Sequence, residues 1–183
     1  MTLSRFALAL SLLTFGCGTA PAPSDTAARG RGDQPSENDI RNFHTVNADL
    51  YRSGSLRVSD VDEIDEMGIK TILSLEADGD RSNAIRDERA AALRQGLDFT
   101  RVPMNGSAKP TIDQINQALD VIARADQPVL VHCLHGADRT GIVIAAYRIR
   151  HDGWSVTRAI DELRSLGHAR NLYWWDDVLY QVR

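Results

Sequence analysis

Residues 129–143 contain side chains whose types and spacing suit phosphate chemistry. They read VLVHCLHGADRTGIV, with five residues between Cys133 and Arg139. The apolar run before Cys133 predicts a short buried strand, and the segment after Arg139 predicts a helix. A loop between a strand end and a helix N-terminus can turn its backbone N–H groups inward and bind a tetrahedral anion. The pattern therefore predicts an anion pocket that contains a cysteine.

The residues of this loop have distinct predicted roles. Gly136 permits the backbone angles of a tight turn, and Arg139 can bind two phosphate oxygens with its planar guanidinium group. Helix N-termini and nearby cations stabilise a thiolate, so Cys133 is predicted to be a nucleophile aimed at phosphorus. Thr140 can donate a hydrogen bond to that sulfur. The predicted phosphate-binding residues are Leu134, His135, Gly136, Ala137, Asp138 and Arg139.

Two other interpretations of these residues are weaker. A single cysteine is usually a buried structural thiol, but the register of glycine, arginine and threonine behind Cys133 argues against that interpretation. His132, Cys133 and His135 have side chains that can bind metal ions. The remaining histidines, at 44, 151 and 168, form no second cluster in the sequence. We therefore expect neither a metal ion nor another cofactor.

The segment HCLHGADRTG resembles the HC-x5-RTG active-site loop of the cysteine-dependent protein tyrosine and dual-specificity phosphatases. LYRSGSL (50–56) is also similar to bacterial members of that superfamily. The resemblance implies that Cys133 forms a phosphocysteine, which water hydrolyses, while Arg139 and the loop amides stabilise the transferring phosphoryl group. It implies phosphotyrosine in proteins as substrate, with phosphoserine and phosphothreonine as further candidates. A small-molecule or inositol phosphate substrate, and a non-catalytic phosphate-binding module, remain as alternatives.

The proton donor for the leaving group is where this sequence departs from the family. The family carries an aspartate upstream of the nucleophile, at about the position of Asn105 and Gly106, and neither of these is an acid. Other aspartates of the 98–113 region are predicted to belong to a strand and a helix. Asp138 is the candidate inside the loop, because a bound phosphate dianion would favour its protonated form. The alternative is a structural role, in which Asp138 orients Arg139 or caps the helix.

Strands and helices alternate along the sequence around this loop. Strands are predicted at 69–75, 98–104 and 129–133, with two more within 43–54. Helices are predicted over 59–67, over 82–95, after Thr111, and over 140–153, 155–166 and about 171–181. This alternation predicts a single α/β domain with a central, mostly parallel sheet flanked by helices. The family resemblance implies the dual-specificity-phosphatase fold.

The first 38 residues have the pattern of an export signal and a linker. Arg5 precedes an apolar run of about ten residues, which is shorter than the roughly 20 that cross a bilayer. Gly16 and Cys17 resemble the end of a bacterial lipoprotein signal, where the cysteine is lipidated; a simple export signal is the alternative. We expect a signal peptide over 1–16, a flexible linker over 17–38 and a phosphatase-like domain over 39–183, anchored to the outer membrane in the periplasm.

The composition excludes several classes of protein. Lys and Arg number 21 against 25 Asp and Glu, a net charge of −4, whereas nucleic-acid binding requires a basic surface. Two cysteines exclude a disulfide-dense scaffold. We therefore expect no nucleic-acid partner. The family resemblance implies a phosphorylated protein or small phosphomonoester as substrate, and we expect a monomer that meets a membrane only through its lipid anchor.

Overall fold

The computed structural model describes residues 40–182, without the side chain of Ser82. The predicted signal peptide and the linker over 17–38 lie outside these residues. Within the described range, every helix is too short or too polar to cross a lipid bilayer.

A five-stranded sheet forms the centre of the domain, in the order β1-β2-β5-β3-β4. The first two strands form an antiparallel hairpin, and β2, β5, β3 and β4 each run parallel to their neighbours. The mostly parallel sheet predicted from the sequence is confirmed. The strands are β1 (His44–Asn47), β2 (Leu50–Ser53), β3 (Thr71–Glu76), β4 (Asp98–Met104) and β5 (Val129–His132).

Helices cover both faces of the sheet, so the domain has three layers. Alternate residues of the central strands face opposite sides: Leu73 and Val131 pack into the core beneath α3, α4 and α5, whereas Ile72 and Leu130 pack beneath α1 and α2. The helices are α1 (Asp60–Glu66), α2 (Asp78–Arg94), α3 (Ile112–Arg124), α4 (Arg139–Arg150) and α5 (Val156–Ser165).

The last segment of the domain differs from its prediction. Residues Arg170–Gln181 form a 3₁₀ helix, which we call the C-terminal 3₁₀ helix. A second difference is in α2, which begins four residues earlier than predicted and is interrupted at Arg81 (φ −151°, ψ 55°). The break separates a first turn at the sheet edge from the regular helix behind it, and residues of that first turn reach the predicted pocket.

Strand β5 places the predicted anion loop at the middle of the sheet. It lies between β2 and β3 and is buried along its whole length, as is typical of a central parallel strand. The loop that follows therefore opens at the carboxyl edge of the sheet, where α/β folds bind their ligands. Helix α4 begins at Arg139 and is buried through Ala146, so the loop is fixed at both ends.

Candidate active site

The loop between β5 and α4 turns its carbonyl oxygens away from its own centre. Each carbonyl from Leu134 to Asp138 accepts a hydrogen bond from the loop's outer side or from α4. Because the N–H and C=O groups of a trans peptide point in opposite directions, the N–H groups of this loop face its interior. Such a ring of amides at a helix N-terminus binds anions. The donors, in order, are Ser55 N and Oγ (3.4 and 3.3 Å), Asn42 Nδ2 (3.4 Å), Arg52 Nη2 (2.6 Å), Gly141 N (3.1 Å) and Ile142 N (2.9 Å).

Gly136 makes this curvature sterically feasible. Its φ is +71°, in the left-handed region that other L-residues rarely adopt. A Cβ at this position would lie 2.5 Å from Gly54 N and from the Ser53 carbonyl carbon. The loop thus packs directly on the backbone that follows β2, with no room for a side chain between them.

Cys133 is 2% exposed and stands at the carboxyl end of β5. It lines a cavity of about 190 Å³, which supports the predicted anion pocket. Five of the lining residues belong to the loop itself, and three come from the segments after β3 and β4. The full lining consists of Asp80, Gly106, Ser107, Cys133, Leu134, His135, Asp138 and Arg139.

Arg139 is held in the cavity by groups from two other parts of the chain. Its side chain is buried, and its Nη1 donates to the Met104 carbonyl at 2.9 Å and to Asp80 Oδ2 at 2.5 Å. These contacts fix the guanidinium at the rim of the loop. The ion pair with Asp80 lowers the entropy that Arg139 must lose when it binds a phosphate.

Asp80 is a site residue that the sequence analysis missed. It follows β3, which pairs in parallel with β5, so the loops after both strands emerge at the same edge of the sheet. A prediction of the strand order would have placed Asp80 beside the loop, because the carboxyl ends of adjacent parallel strands meet at the same edge of the sheet.

Arg52, for which the sequence suggests a place at the pocket mouth, is buried instead. Its side chain is 1% exposed and lies beneath the loop, where it donates to the Gly136 carbonyl. Burial lowers the pKa of Arg52 to about 10, against the opposing attraction of Glu162 and Cys133. The Arg52 guanidinium is therefore charged at neutral pH and places a positive charge beneath the anion loop.

The predicted role of Thr140, donation of a hydrogen bond to the Cys133 sulfur, requires a hydroxyl group without another partner. Its side chain is buried, and within residues 40–182 its hydroxyl has no hydrogen-bond partner. The hydroxyl is adjacent to the loop at the start of α4. The predicted hydrogen bond from this hydroxyl to the Cys133 sulfur stays a prediction.

Asp138 is held by hydrogen bonds in the free protein, and its protonation beside a bound phosphate stays a prediction. Its Oδ1 accepts hydrogen bonds from His168 Nδ1 at 2.7 Å and from the Ala169 N–H at 2.8 Å. Partial burial opposes ionisation of the carboxyl, but the bonds from His168 and Ala169 outweigh it and lower the Asp138 pKa. The carboxylate is ionised at neutral pH and holds the segment after α5 against the loop. This geometry favours the structural alternative over the proton donor.

The region 98–113 supplies no acid to the cavity lining. Asp98 lies at the start of β4, where it lines a different cavity with Thr71, and Asp113 lies in the first turn of α3. Gly106 lines the pocket, and a Cβ there would lie 3.2 Å from Arg139 Nη2. The expected place for an acid is thus next to Arg139 but is occupied by a residue without a side chain.

Comparisons with known proteins agree with this geometry. The family model described as "Polymorphic toxin system, DSP-PTPase phosphatase" matches residues 46–153. The dual specificity protein phosphatase TpbA of Pseudomonas aeruginosa (strain UCBPP-PA14) is 31% identical over 134 residues, which cover 69% of this chain and 55% of TpbA. The inositol diphosphatase SIW14 of Saccharomyces cerevisiae is 30% identical over 130 residues, covering 67% of this chain and 44% of SIW14. The chain thus spans about half the length of these curated relatives.

A solved structure extends the likeness to three dimensions. The core catalytic domain of the S. cerevisiae PP-IP phosphatase SIW14, in complex with citrate, is 26% identical with a TM-score of 0.65. The superposition covers 79% of this chain and 86% of the SIW14 domain. The α/β fold predicted from the sequence is therefore shared with a phosphatase whose structure is known.

Proposed function

Because this chain belongs to the DSP-PTPase family of cysteine-dependent phosphatases, we propose that it hydrolyses phosphotyrosine in proteins, and phosphoserine and phosphothreonine more slowly. The observation that carries this proposal is the outward orientation of five consecutive loop carbonyls around Cys133. That orientation leaves the inner N–H groups for the equatorial oxygens of a phosphoryl group.

The reaction proceeds in two displacements at phosphorus. In the first, the Cys133 sulfur bonds to phosphorus, the bond from phosphorus to the tyrosine oxygen breaks, and the phenolate takes a proton from solvent. In the second, a water oxygen bonds to phosphorus, the sulfur–phosphorus bond breaks, and inorganic phosphate leaves. Arg139 and the loop amides stabilise the phosphoryl oxygens throughout, and the Thr140 hydroxyl donates to the departing sulfur.

The preference for phosphotyrosine follows from the missing acid. A tyrosine phenol has a pKa of about 10, so its anion can leave with little help, whereas an alkoxide needs a proton in the transition state. Gly106 carries no acid, and the Asp138 carboxyl is held ionised by His168. Asp80 also lines the pocket, but its carboxylate is paired with Arg139. An enzyme with this pocket therefore discriminates in favour of aryl phosphates.

A small-molecule phosphomonoester, such as an inositol phosphate, is the second candidate substrate. It is favoured by an arginine-lined cavity beside the pocket, formed in part by Arg41, Arg57 and Arg81. The similarity to an enzyme named inositol diphosphatase points the same way.

Hydrolysis of p-nitrophenyl phosphate by the purified protein tests the reaction. We expect turnover that Cys133→Ser abolishes and that a chelator of divalent metals leaves unchanged. Matched peptides with phosphotyrosine or phosphoserine then test the preference, and we expect kcat/KM to be at least about tenfold higher for phosphotyrosine. Turnover that survives Cys133→Ser would refute the thiolate mechanism, and equal rates on the two peptides would refute the argument from the leaving group.

We further propose that Cys17 is lipidated and tethers the domain to the periplasmic side of the outer membrane. The proposal rests on the sequence alone, through Arg5, the apolar run behind it and the Gly16–Cys17 pair. Mass spectrometry of the N-terminal peptide from detergent-extracted membranes tests it. We expect an acylated Cys17, and release of the protein into the soluble periplasm in Cys17→Ser; an unmodified N-terminus would refute the anchor.

A further inference from the structure

The C-terminal 3₁₀ helix exposes one line of side chains along its length. Side chains three residues apart eclipse each other in a 3₁₀ helix, and the exposure of this helix repeats with that period. Trp174, Asp177 and Tyr180 are exposed, whereas Trp175 and Val178 are buried in the core. Trp174 is 56% and Tyr180 is 69% exposed, although tryptophan is on average a highly buried residue. We call Trp174, Asp177 and Tyr180 the aromatic face.

The aromatic face lies near the pocket of Cys133. Lys109 Nζ is 5.6 Å from the centroid of the Trp174 ring and donates to the two Asp177 carboxylate oxygens at 2.7 and 2.9 Å. Lys109 comes two residues after Ser107, which lines the pocket, so the chain between them spans at most about 7 Å. Trp174 therefore lies close to the part of the pocket rim that follows β4.

A second set of contacts ties the same helix to the anion loop. The Tyr173 ring stacks on His168 with the ring centroids 5.7 Å apart, and His168 binds the Asp138 carboxylate. Asp138 also lines the pocket. The helix that carries the aromatic face is thus attached both to the anion loop and to the segment after β4.

The aromatic face suits an uncharged partner. The Trp174 ring packs edge-on against the fully buried Trp175, with the ring centroids 6.1 Å apart. This contact and the one with Lys109 restrict the ring before anything binds, which lowers the entropy lost on binding. Lys109 and Asp177 neutralise each other, so the rings present apolar surface without net charge. Such a surface favours a large apolar or aromatic side chain.

The path of a substrate protein follows from the position of its phosphate. When a phosphotyrosine occupies the pocket, the residues on either side of it must cross the pocket rim. An extended chain advances about 3.3 Å per residue, so a residue three positions away lies about 10 Å from the phosphotyrosine. Only the segment 107–109 separates the pocket lining from Trp174. A side chain that flanks the phosphotyrosine can therefore reach the Trp174 ring.

We propose that the aromatic face binds the polypeptide chain of the substrate, through a large apolar side chain within three residues of the phosphotyrosine. The proposal rests on the phosphatase reaction proposed above and names the class of protein that the enzyme prefers. Trp174 and Tyr180 are then specificity-determining residues, which contact the substrate away from the reacting phosphorus.

A series of phosphotyrosine peptides tests the aromatic face. Each peptide carries one leucine, at one of the three positions before or after the phosphotyrosine, and the reference peptide has alanine at all of them. We expect leucine at the matching position to raise kcat/KM about tenfold over the reference. The gain should come mainly from KM, because the contact lies away from the reacting atoms.

Two substitutions of Trp174 test whether its ring supplies the gain. The ratio of kcat/KM between the leucine peptide and the reference should fall toward one in Trp174→Ala and be largely kept in Trp174→Phe. Both peptides are measured with the same variant, so a general loss of turnover or folding cancels from the ratio. A ratio of one at every position in the unchanged protein, or a ratio that survives Trp174→Ala, would overturn the proposal.

Leu93→Ala is the matched control. Leu93 is 54% exposed, nearly as much as Trp174. It lies near the end of α2, which leads into the start of β4 at the edge of the sheet away from the pocket. Its loss should leave the ratio unchanged. An equal fall in Leu93→Ala would mean that the ratio does not report a contact at the aromatic face, and would also overturn the proposal.

Failure of the phosphatase reaction would look different. In that case neither p-nitrophenyl phosphate nor any peptide is hydrolysed, and fluorescence anisotropy of labelled peptides replaces kinetics. Tighter binding of a leucine peptide than of the reference, lost in Trp174→Ala, would keep the aromatic face and reject the reaction.

Two results would keep the reaction and reject the aromatic face as a substrate site. One is hydrolysis of p-nitrophenyl phosphate without hydrolysis of any peptide. The other is equal rates on all peptides together with a dimer, seen by sedimentation, that Trp174→Ala dissociates. That dimer would assign the aromatic face to a second copy of the chain.

Discussion

Replacing Gly136 by alanine tests whether the loop is as tightly constrained as its geometry indicates. The added Cβ meets two separate penalties. An L-residue in the left-handed region costs about 1–2 kcal/mol. A Cβ only 2.5 Å from Gly54 N and the Ser53 carbonyl carbon must displace backbone, and such overpacking typically costs about 1–3 kcal/mol. We therefore expect Gly136→Ala to lower the free energy of unfolding by about 2–5 kcal/mol.

Gly153→Ala separates the two penalties. Gly153 has a φ of +68°, close to that of Gly136, but a Cβ there would have no atom within 4 Å. Gly153→Ala should lower the free energy of unfolding only by the conformational penalty of about 1–2 kcal/mol. It should keep full activity. Urea unfolding of both variants gives the two free energies, provided that the transition is two-state.

The activity of the Gly136 variant supplies the second measurement. Displacing the loop moves its amides away from the phosphoryl oxygens, and a shift of about 1 Å can cost roughly a hundredfold in rate. We expect kcat/KM for p-nitrophenyl phosphate to fall by about that factor in Gly136→Ala. If the two alanine variants are equally stable and equally active, the contact with the backbone after β2 does not constrain the loop, and the reasoning is refuted.

Three further predictions concern the carboxylates around the pocket. Because the Asp138 pKa is lowered in the folded protein, Asp138→Asn should cost about 1–2 kcal/mol at pH 7. The difference should begin to shrink as the pH falls below about 4 and disappear only below the lowered pKa of the folded state. Urea unfolding at pH 7 and pH 3 should therefore show a smaller loss at pH 3, and an equal loss at both would contradict the prediction. Gly106→Asp places a carboxyl beside Arg139 and should raise the rate on a phosphoserine peptide about tenfold relative to p-nitrophenyl phosphate, with Gly106→Asn as control; an equal gain in Gly106→Asn would argue against proton donation. Asp80→Asn removes the anion that holds Arg139 and should weaken inhibition by inorganic phosphate about tenfold; an unchanged Ki would mean that Asp80 does not position Arg139.

Local sequence patterns predicted the elements and the loop well. The run VLVHC has the apolar character of a buried strand, and Thr111 with Gln114 forms the capping box that begins α3. Such signals lie within a few residues of the structure that they specify, so a single sequence reveals them.

The parts that could not be predicted depend on contacts between distant segments. Asp80 reaches Arg139 only because β3 neighbours β5 in the sheet, and the sequence does not state the strand order. The contacts of Arg52 and of Asp138 also join distant segments. His168, for example, lies 30 residues from the carboxylate that it binds. The hydrogen bonds that hold Asp138 in the free protein could not be predicted, because both donors lie outside the loop.

The attachment of Asp138 to His168 and Ala169 has a consequence for how the catalytic unit is delimited. The family match ends at residue 153. The loop that would bind the phosphoryl group is nevertheless held by hydrogen bonds from residues after that point, His168 and Ala169. A fragment cut at the end of the match would keep the nucleophile and the arginine while losing this brace, and with it part of the rigidity on which rate acceleration depends. We therefore expect the smallest fragment with phosphatase activity to extend beyond residue 153.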